Sequence, residues 1–407
     1  MKLIRVAFIV SIVGSLLAAS FIKGAGVDER AFLKGLAGDE VVFKEKLRNP
    51  PHYPSNTDVI AFNSYDILPS VRGYAGPIRT LIAIDSKGII RGVRIIQHRE
   101  TENYVHYMLT PAYLNQYVGK RVTDPLRVDV DIDGISRATV SVRALAKTVR
   151  LSSRAMAERL FGIKALSEPN GGSLDLKAIV YILFFGLSLV AYHYTRKRKT
   201  LLRYRRWFLF TDLLIVGIYG SAFFSILHVM NALTGNYSTS LFWMAVVGGT
   251  LLSVVLAGRL YCGWLCPFGA LLELMDRIGG KGWLISERQE KRLRLIKYWL
   301  VIPLFPLVII TGRSDYANFE PYVTLFSLHG TPLMWSVLVL MVVLNLRVKR
   351  FWCRYLCPVA ALLGMLSKRT EGYPSAPSCP MGNPPSPHIS ECIRCNICYG
   401  SRTSESE

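Results

Sequence analysis

Long apolar runs separated by basic loops constrain this chain more than any other feature of its 407 residues. The runs lie at 7–22, 178–194, 207–230, 240–260, 298–311 and 332–346. Several of them reach or approach the ~20 residues that a helix needs to cross a bilayer. The sequence therefore predicts a multi-pass α-helical membrane protein with about six spans.

The distribution of charge predicts the topology. A net charge of +21 would suggest a nucleic-acid partner for a soluble protein, but here the basic residues cluster between the apolar runs. Seven lie in 196–206 and seven in 277–297, whereas 231–239 has none and 312–330 has one. Cytoplasmic loops carry such an excess of Lys and Arg. We therefore expect an inner-membrane protein that contacts lipid and not nucleic acid, with residues 30–165 outside and both termini cytoplasmic.

The order of polar and apolar segments predicts four parts. These are a membrane anchor or signal peptide at 1–25, an exported domain at 30–165, a five-span membrane core at 178–370 and a cytoplasmic tail at 371–407. An uncleaved anchor is favoured over a cleaved signal peptide, because apolar residues continue beyond the small residues at 18 and 19.

The exported segment has the pattern of an α+β domain. Two β-rich runs at 79–86 and 89–97 flank Lys87-Gly88, which predicts a hairpin. Apolar and polar residues alternate at 128–132, which predicts another strand. Residues 140–161 have apolar side chains at helical spacing, so a long helix is expected to follow.

A run of small and hydroxyl residues, DGISRATVS at 133–141, joins the last predicted strand to this helix. Ser136 in this position suits an ordinary helix N-cap. The same position also suits a phosphate group, since free backbone N–H groups and the helix dipole favour anions at a helix start. The residue pattern leaves both interpretations open.

All eight cysteines lie from residue 262 onward. In the tail, Cys392, Cys395 and Cys398 have the spacing of three [4Fe–4S] ligands, and Cys379 precedes a proline upstream, as a fourth ligand does in ferredoxins. Four thiolates also suit zinc. Three candidate ligands within seven residues favour the iron–sulfur interpretation.

A repeat follows two of the apolar runs. Residues 261–275 read YCGWLCPFGALLELM and residues 352–366 read WCRYLCPVAALLGML. The cysteine pairs are Cys262 with Cys266 and Cys353 with Cys357. If each pair lies on one helix, its C-x3-C spacing puts both sulfurs on one face. Arg259 and Arg354 nearby favour thiolates, and the four thiols are candidates for one cluster, for two dithiol–disulfide couples or for a structural role.

The stretch at 133–141 resembles the flavinylation motif D-x-x-[ST]-G-A-T-x-[ST] of exported FMN-binding domains in NosR/NirI-type proteins. The resemblance implies that Thr139 is esterified to the phosphate of FMN by a separate flavin transferase that uses FAD. Arg137 stands where the motif has glycine. The stretches at 73–78 and 98–101 are similar to the same domain. Further FMN contacts are implied for Asp133, Ser136, Ala138, Ser141, Glu100 and Thr101.

The paired C-x3-C-P motifs resemble the membrane core of the NosR/NirI family, and the length and segment order resemble its RdhC/PceC-like members. The resemblance implies a membrane electron-transfer flavoprotein with covalent FMN and a [4Fe–4S] cluster. Electrons would pass between cytoplasmic Fe–S or thiol centres, or quinol, and the external FMN, which would serve an exported terminal reductase. The alternative is a redox sensor or a maturation factor for a respiratory metalloreductase.

Overall fold

The chain forms two compact units. In a computed structural model, Lys23–Leu174 and Asn231–Thr239 make one unit, and Met1–Ile22, Asp175–Met230 and Ser240–Glu407 make the other. The structure describes residues 2–21, 28–69, 71, 73, 77–98, 100, 105–135, 139–165, 175–233, 235, 237–238, 240–276, 278, 283, 285–311, 314–317, 319–367, 379–382 and 391–400.

Five antiparallel strands form a sheet in the first unit, and each strand pairs with the next one along the chain. The strands are β1 (Leu47–Arg48), β2 (Pro51–Pro54), β3 (Ile60–Asn63), β4 (Arg79–Ile84) and β5 (Ile90–Gln97). Short helices accompany the sheet at Arg30–Leu33, Ser64–Ile67 and Pro111–Leu114, with a 3-10 turn at Asn115–Tyr117.

The long helix Thr139–Phe161 packs on this sheet. Its fully buried residues, which share one core with strand residues such as Ile82, are Val142, Leu145, Val149, Met156 and Ala157. Alternate residues of β4 enter a second core, so this strand is buried on both faces. The helical spacing at 140–161 predicted this helix correctly, and the α+β composition is confirmed.

The predicted hairpin is β4–β5. Gly88 has a φ of 75°, in the left-handed region that favours glycine. The carboxylate of Asp85 accepts hydrogen bonds from the backbone N–H groups of Lys87 (3.0 Å) and Ile89 (2.8 Å) and closes the turn. Lys87-Gly88 therefore identified the position of the turn.

The strand predicted at 128–132 is wrong. These residues form a turn, in which the side chain of Asp131 accepts hydrogen bonds from the backbone N–H groups of Leu126 (2.9 Å) and Arg127 (2.7 Å). Asp129 has a φ of 66°. Aspartate side chains that bond to nearby backbone groups compete with strand pairing, so the alternating sequence belongs to a capped loop.

The second unit is helical. By length and composition, and within the described residues, three helices can cross a membrane: Leu3–Ser20, Leu176–Lys197 and Glu287–Thr311. A fourth span results if Pro321–Ser327 and Pro332–Arg347, which are bent by 107°, count as one. The apolar helix Leu241–Ala257 is shorter. The prediction of a membrane protein is supported, and the count of six spans is not confirmed by these helices.

Two apolar runs differ from their predicted limits. The run at 207–230 is interrupted: helix Arg205–Asp212 continues as the π-helix Leu213–Tyr219, and a non-helical segment at 221–225 precedes helix Ile226–Leu233. The run at 298–311 is longer than predicted, because the charged residues before it continue the helix back to Glu287. The other short elements are Lys199–Tyr204, Leu260–Trp264, Pro267–Met275, Ser314–Ala317, Phe351–Tyr355, Pro358–Leu366 and Ile397–Gly400.

The N-terminal helix Lys2–Phe21 packs against helix Glu287–Thr311. The rings of Phe8 and Phe305 meet edge-on with centroids 4.9 Å apart. Ser11 Oγ donates a hydrogen bond to the carbonyl of Ile302 at 3.0 Å. One side of this helix therefore packs against the other helices of the unit.

Candidate functional site

Three stretches that resemble a flavin domain meet in the structure. The carboxylate of Glu100, which is 5% exposed, accepts a hydrogen bond from the hydroxyl of Ser141 in the first turn of helix Thr139–Phe161. Gly73 lies against the same carboxylate, since a Cβ at this position would be 2.3 Å from Glu100 Oε1. The fold thus brings Gly73, Glu100 and Ser141 together.

Thr139 is the first residue of this long helix. The first backbone N–H groups of a helix have no partners within it, and the positive end of the helix dipole lies there. The start of this helix therefore favours an anionic group such as a phosphate. Ser136, Ala138 and Thr101 lie outside the described residues.

Asp133 anchors the loop that leads to the helix. Its carbonyl accepts a hydrogen bond from the hydroxyl of Tyr113 (3.1 Å), and its N–H donates to Gln116 Oε1 (2.7 Å). The Asp133 side chain itself is exposed. Its role in the described structure is therefore to position the start of the motif through backbone contacts.

In the first C-x3-C-P repeat, the two cysteines lie on either side of a helix break. Cys262 lies in helix Leu260–Trp264, and Cys266 is the N-cap of helix Pro267–Met275. The proline that follows Cys266 cannot continue the first helix, but it is favoured at the first position of the next one. The assumption that both cysteines share one helix was wrong.

The second repeat has the same arrangement, with Cys353 in helix Phe351–Tyr355 and Cys357 as the N-cap of helix Pro358–Leu366. In both repeats the capping sulfur accepts a backbone hydrogen bond, from Gly269 to Cys266 and from Ala360 to Cys357, each at 3.3 Å. Hydrogen bonds to sulfur stabilise thiolates and tune cluster potentials.

The thiols of the two repeats converge on one region. Cys266 and Cys357 are each within electrostatic reach of Cys262 and Cys353. Within the described parts of the chain, no three His, Cys, Asp or Glu side chains are arranged to hold a metal ion. The convergence of the four thiols leaves one cluster, dithiol–disulfide couples and a structural role as candidates.

The tail cysteines form a second group. Cys379 is within electrostatic reach of Cys392, and Cys395 is within reach of both. The neighbours of Cys395 in the chain, Arg394 and Asn396, have φ values of 59° and 61°. Left-handed residues in such loops turn backbone N–H groups toward an anion, as at many Fe–S sites. Burial raises the pKa of the Cys395 thiol to about 12, so a bound cation is needed to keep this group as a thiolate.

One buried carboxylate fixes the tail to the helices. Glu391 accepts hydrogen bonds from Lys297 Nζ (2.5 Å), from Arg259 Nη1 (3.0 Å) and from the hydroxyl of Tyr298. Burial alone would raise the pKa of Glu391, but Lys297 and Arg259 lower it to about 2. The carboxylate is therefore charged at neutral pH and holds the tail against two cations.

The tail also contacts the first repeat through its backbone. Trp264 Nε1 donates a hydrogen bond to the carbonyl of Arg394 at 2.9 Å. A Cβ on Gly263 would lie 2.1 Å from the carbonyl oxygen of Ile393. Only glycine allows this approach, so the cysteine loop of the tail lies directly on the first repeat.

Arg350 connects the two groups of cysteines. Its side chain is fully buried, and Nη1 donates a hydrogen bond to the carbonyl of Cys262 at 2.9 Å. The same guanidinium pairs with Glu273 and is within electrostatic reach of Cys353 and Cys395. The repeats and the tail are therefore neighbours within one unit.

Sequence reasoning missed Lys297, Arg350 and Glu391 as parts of this region. A signal was present, since an arginine stands three residues before the first cysteine of each repeat. Arg354, which was expected to favour thiolates, instead pairs with Glu290 at 2.5 Å. Proximity in sequence to a cysteine did not predict which way this long side chain turns.

Two family models match the chain. An FMN-binding domain matches residues 73–152, and a 4Fe–4S binding domain matches residues 239–286 and 329–373. The first match includes Gly73, Glu100 and Ser141. The second includes both C-x3-C-P repeats and none of the tail cysteines. The iron–sulfur similarity therefore lies in the repeats rather than in the tail, where the spacing had predicted it.

Curated relatives match parts of the chain. "Protein NirI" of Paracoccus denitrificans is 31% identical over 211 residues, which cover 47% of this chain and 31% of NirI. "Regulatory protein NosR" of Pseudomonas aeruginosa is 31% identical over 210 residues, or 47% of this chain and 29% of NosR. "Methylamine utilization ferredoxin-type protein MauN" of Paracoccus denitrificans is 30% identical over 131 residues, or 30% of this chain and 45% of MauN. The chain thus spans about a third of the NirI and NosR sequences that it matches. No solved structure matches it.

Proposed function

We propose that this chain, a NosR/NirI-type FMN-binding membrane protein, passes single electrons between two cysteine-held iron–sulfur centres and a covalently bound FMN. Its FMN-binding and 4Fe–4S binding domains support the general role of an electron-transfer membrane flavoprotein. In the detailed proposal, the four cysteines of the C-x3-C-P repeats hold one cluster, the tail cysteines hold a second, and Thr139 carries FMN through its phosphate.

The contact between the tail and the repeats carries this proposal. Arg350 is within electrostatic reach of a cysteine in each group, and Gly263 and Trp264 touch the backbone of the tail loop. Two iron–sulfur centres held this close together would exchange electrons without a diffusing carrier. A structural role for the thiols would not require the two groups to be adjacent.

Iron–sulfur clusters supply one-electron carriers, and FMN exchanges electrons singly or in pairs. The residues of the chain would tune these groups. Buried Arg259 and Arg350 offset negative charge on the thiolates, and the N–H groups of Gly269 and Ala360 donate to the capping sulfurs. Access of water is limited at the four cysteines that are buried, which are Cys262, Cys353, Cys357 and Cys395.

The charge pattern supports a topology of about six spans, with the FMN domain outside the inner membrane and the C-terminus in the cytoplasm. The interrupted run at 207–230 and the bent pair that ends at Arg347 would then cross as broken spans. Because the hydrocarbon core is about 30 Å thick, quinol in the membrane is proposed as the carrier between the inner centres and the FMN. The FMN in turn would serve an exported terminal reductase.

A second candidate function is regulation. The NosR relative is named a regulatory protein, and the same cofactors suit a redox sensor or a maturation factor for a metalloreductase. Repeated reduction of the FMN under steady-state conditions distinguishes electron transfer from regulation. An electron-transfer protein in proteoliposomes reduces its FMN repeatedly from a donor on the cytoplasmic side, whereas a sensor is reduced once and then holds that state.

Flavin attachment is tested by co-expressing the chain with a flavin transferase and viewing flavin fluorescence on a denaturing gel. We expect a fluorescent band for the wild type and for Thr139→Ser, which keeps a hydroxyl, and no band for Thr139→Val. Ser153→Ala, farther along the same helix, serves as the control and should keep the band. A band that persists in Thr139→Val would contradict attachment at this residue.

The two clusters are tested separately by iron content and electron paramagnetic resonance (EPR) of the reduced protein. Cys262→Ser combined with Cys357→Ser should remove one signal and about half of the iron. Cys392→Ser combined with Cys395→Ser should remove the other signal. If the repeat variant keeps all of its iron, the repeats do not hold a cluster.

A further inference from the structure

Within the described residues, a carboxyl group is buried within electrostatic reach of the second cysteine pair and has no cationic partner. Glu320, which is 2% exposed, immediately precedes helix Pro321–Ser327. It accepts a hydrogen bond from the hydroxyl of Ser225 and a longer one, at 3.4 Å, from the backbone N–H of Ile226. The hydroxyl of Tyr322 is its other neighbour. None of the described groups that act on this carboxyl is a cation.

The titratable groups around Glu320 are neutral in their ordinary states. His228 Nδ1 accepts a hydrogen bond from the N–H of Ser225 at 3.0 Å, so this nitrogen carries no proton and the ring is uncharged. Tyr322 donates to the carbonyl of Phe224, and the hydroxyl of Tyr261 accepts from the N–H of the same residue. Every polar contact of the carboxyl is therefore with a neutral group.

Cys357 is the nearby group whose charge would change with redox state. It is within electrostatic reach of Glu320, and no hydrogen bond is seen between the two side chains in the described structure. Burial raises the pKa of Glu320 to about 7, although the hydrogen bonds from Ser225, Tyr322 and Ile226 lower it part of the way. A carboxyl that is balanced between its two states near neutral pH responds to a single additional charge nearby.

We propose that Glu320 is a proton acceptor linked to the redox state of the centre that the C-x3-C-P cysteines hold. This inference rests on the proposed function. When a low-potential one-electron donor is oxidised and the centre is reduced, one proton from water binds the Glu320 carboxylate and balances the added negative charge. Re-oxidation of the centre by the next carrier releases that electron, and Glu320 returns the proton. Ser225 and Tyr322 position the carboxyl for this exchange.

The test is the pH dependence of the reduction potential of the repeat-held centre. The full-length protein is titrated with dithionite at several pH values, and the EPR signal of the centre is followed. One proton per electron makes the reduction equilibrium tenfold less favourable per pH unit, a slope of about 59 mV for a one-electron couple. We expect a slope that approaches this value around neutral pH in the wild type, a flat profile in Glu320→Gln and a retained slope in Glu320→Asp.

Glu287→Gln is the matched control, because Glu287 is an exposed carboxylate of the same unit; this variant should keep the wild-type slope. A wild-type slope in Glu320→Gln would overturn the inference and leave the proposed function standing. Absence of the EPR signal from the wild type would overturn the proposed function, and the inference would fall with it. Infrared difference spectra give a second readout: the carboxylic acid band that appears on reduction should be missing in Glu320→Gln.

Discussion

Lys297 Nζ lies 2.5 Å from Glu391 Oε2, and both side chains are buried. Lys297 lies in the candidate membrane span Glu287–Thr311, and Glu391 immediately precedes Cys392 in the tail. The ion pair therefore joins this helix to the tail. Arg259, three residues before the first cysteine of the repeats, pairs with the same carboxylate. These ion pairs with the helices therefore help to fix the position of the tail loop, in addition to any cluster that the loop holds.

Glu391→Gln is expected to detach the tail. The substitution leaves Lys297 and Arg259 buried beside a neutral amide, and removing one partner of a buried ion pair typically costs about 3–5 kcal/mol. We expect loss of the tail EPR signal and faster proteolysis after residue 367, with the covalent FMN unchanged. Glu287→Gln, which breaks an exposed ion pair on the same helix, should leave both readouts unchanged.

Gly263→Ala tests the contact between the first repeat and the tail. A Cβ at this position would lie 2.1 Å from the Ile393 carbonyl oxygen, which is backbone and cannot rotate away. The tail loop must therefore move, and we expect reduced iron content in the tail and more rapid cleavage there.

Gly248→Ala is the control for this effect. Gly248 lies inside helix Leu241–Ala257, and a Cβ there meets no atom within 4 Å. Alanine should stabilise the helix by about 1 kcal/mol and leave the iron content unchanged. Equal iron contents in the two variants would contradict the close approach of the tail to the repeat.

The sequence predicted local features better than long-range ones. The Lys87-Gly88 hairpin and the helix at 140–161 depend on local backbone preference and spacing, and both were predicted correctly. The strand at 128–132 failed because the side chain of Asp131 caps a loop, which alternation of apolar residues does not reveal. The pairing of Glu391 with Lys297 joins residues 94 positions apart, and no periodicity in the sequence encodes that contact.

Ser141→Ala tests the contact within the flavin domain. The hydroxyl of Ser141 donates a hydrogen bond to the buried carboxylate of Glu100. Leaving a buried polar group without its hydrogen-bond partner costs about 1–3 kcal/mol of stability. Because this bond ties the first turn of helix Thr139–Phe161 to Glu100, the yield of flavinylated protein should fall. Ser153→Ala, farther along the same helix, should keep the wild-type yield, and equal losses in both variants would contradict a specific role for Ser141.

Acid should loosen the N-terminal part of the unit that includes Lys23–Leu174 through Glu29. Burial alone would raise the pKa of Glu29, but hydrogen bonds from Lys46, Asn63 and Tyr53 lower it below its usual value. Because the pKa of Glu29 is lower in the folded protein than in the unfolded chain, the charged carboxylate stabilises the fold. This stabilisation is complete above the pKa in the unfolded chain, about 4.3, and is lost as the pH falls through the pKa in the folded protein. The contribution is about 1 kcal/mol or less, since the Lys46 side chain is 32% exposed.

Limited proteolysis of the full-length protein in detergent measures this effect. Cleavage within residues 28–69, quantified by mass spectrometry with an unfolded peptide as the standard for protease activity at each pH, should be low above about pH 5 and should increase as the pH falls below about 4.3. In Glu29→Gln, cleavage should already be raised at pH 6 and should change less with acid, because the titrating group is gone. Glu45→Gln is the control, since Glu45 is 91% exposed and its loss should not alter the profile. A Glu29→Gln profile that matches the wild type would show that acid acts on the domain through other groups.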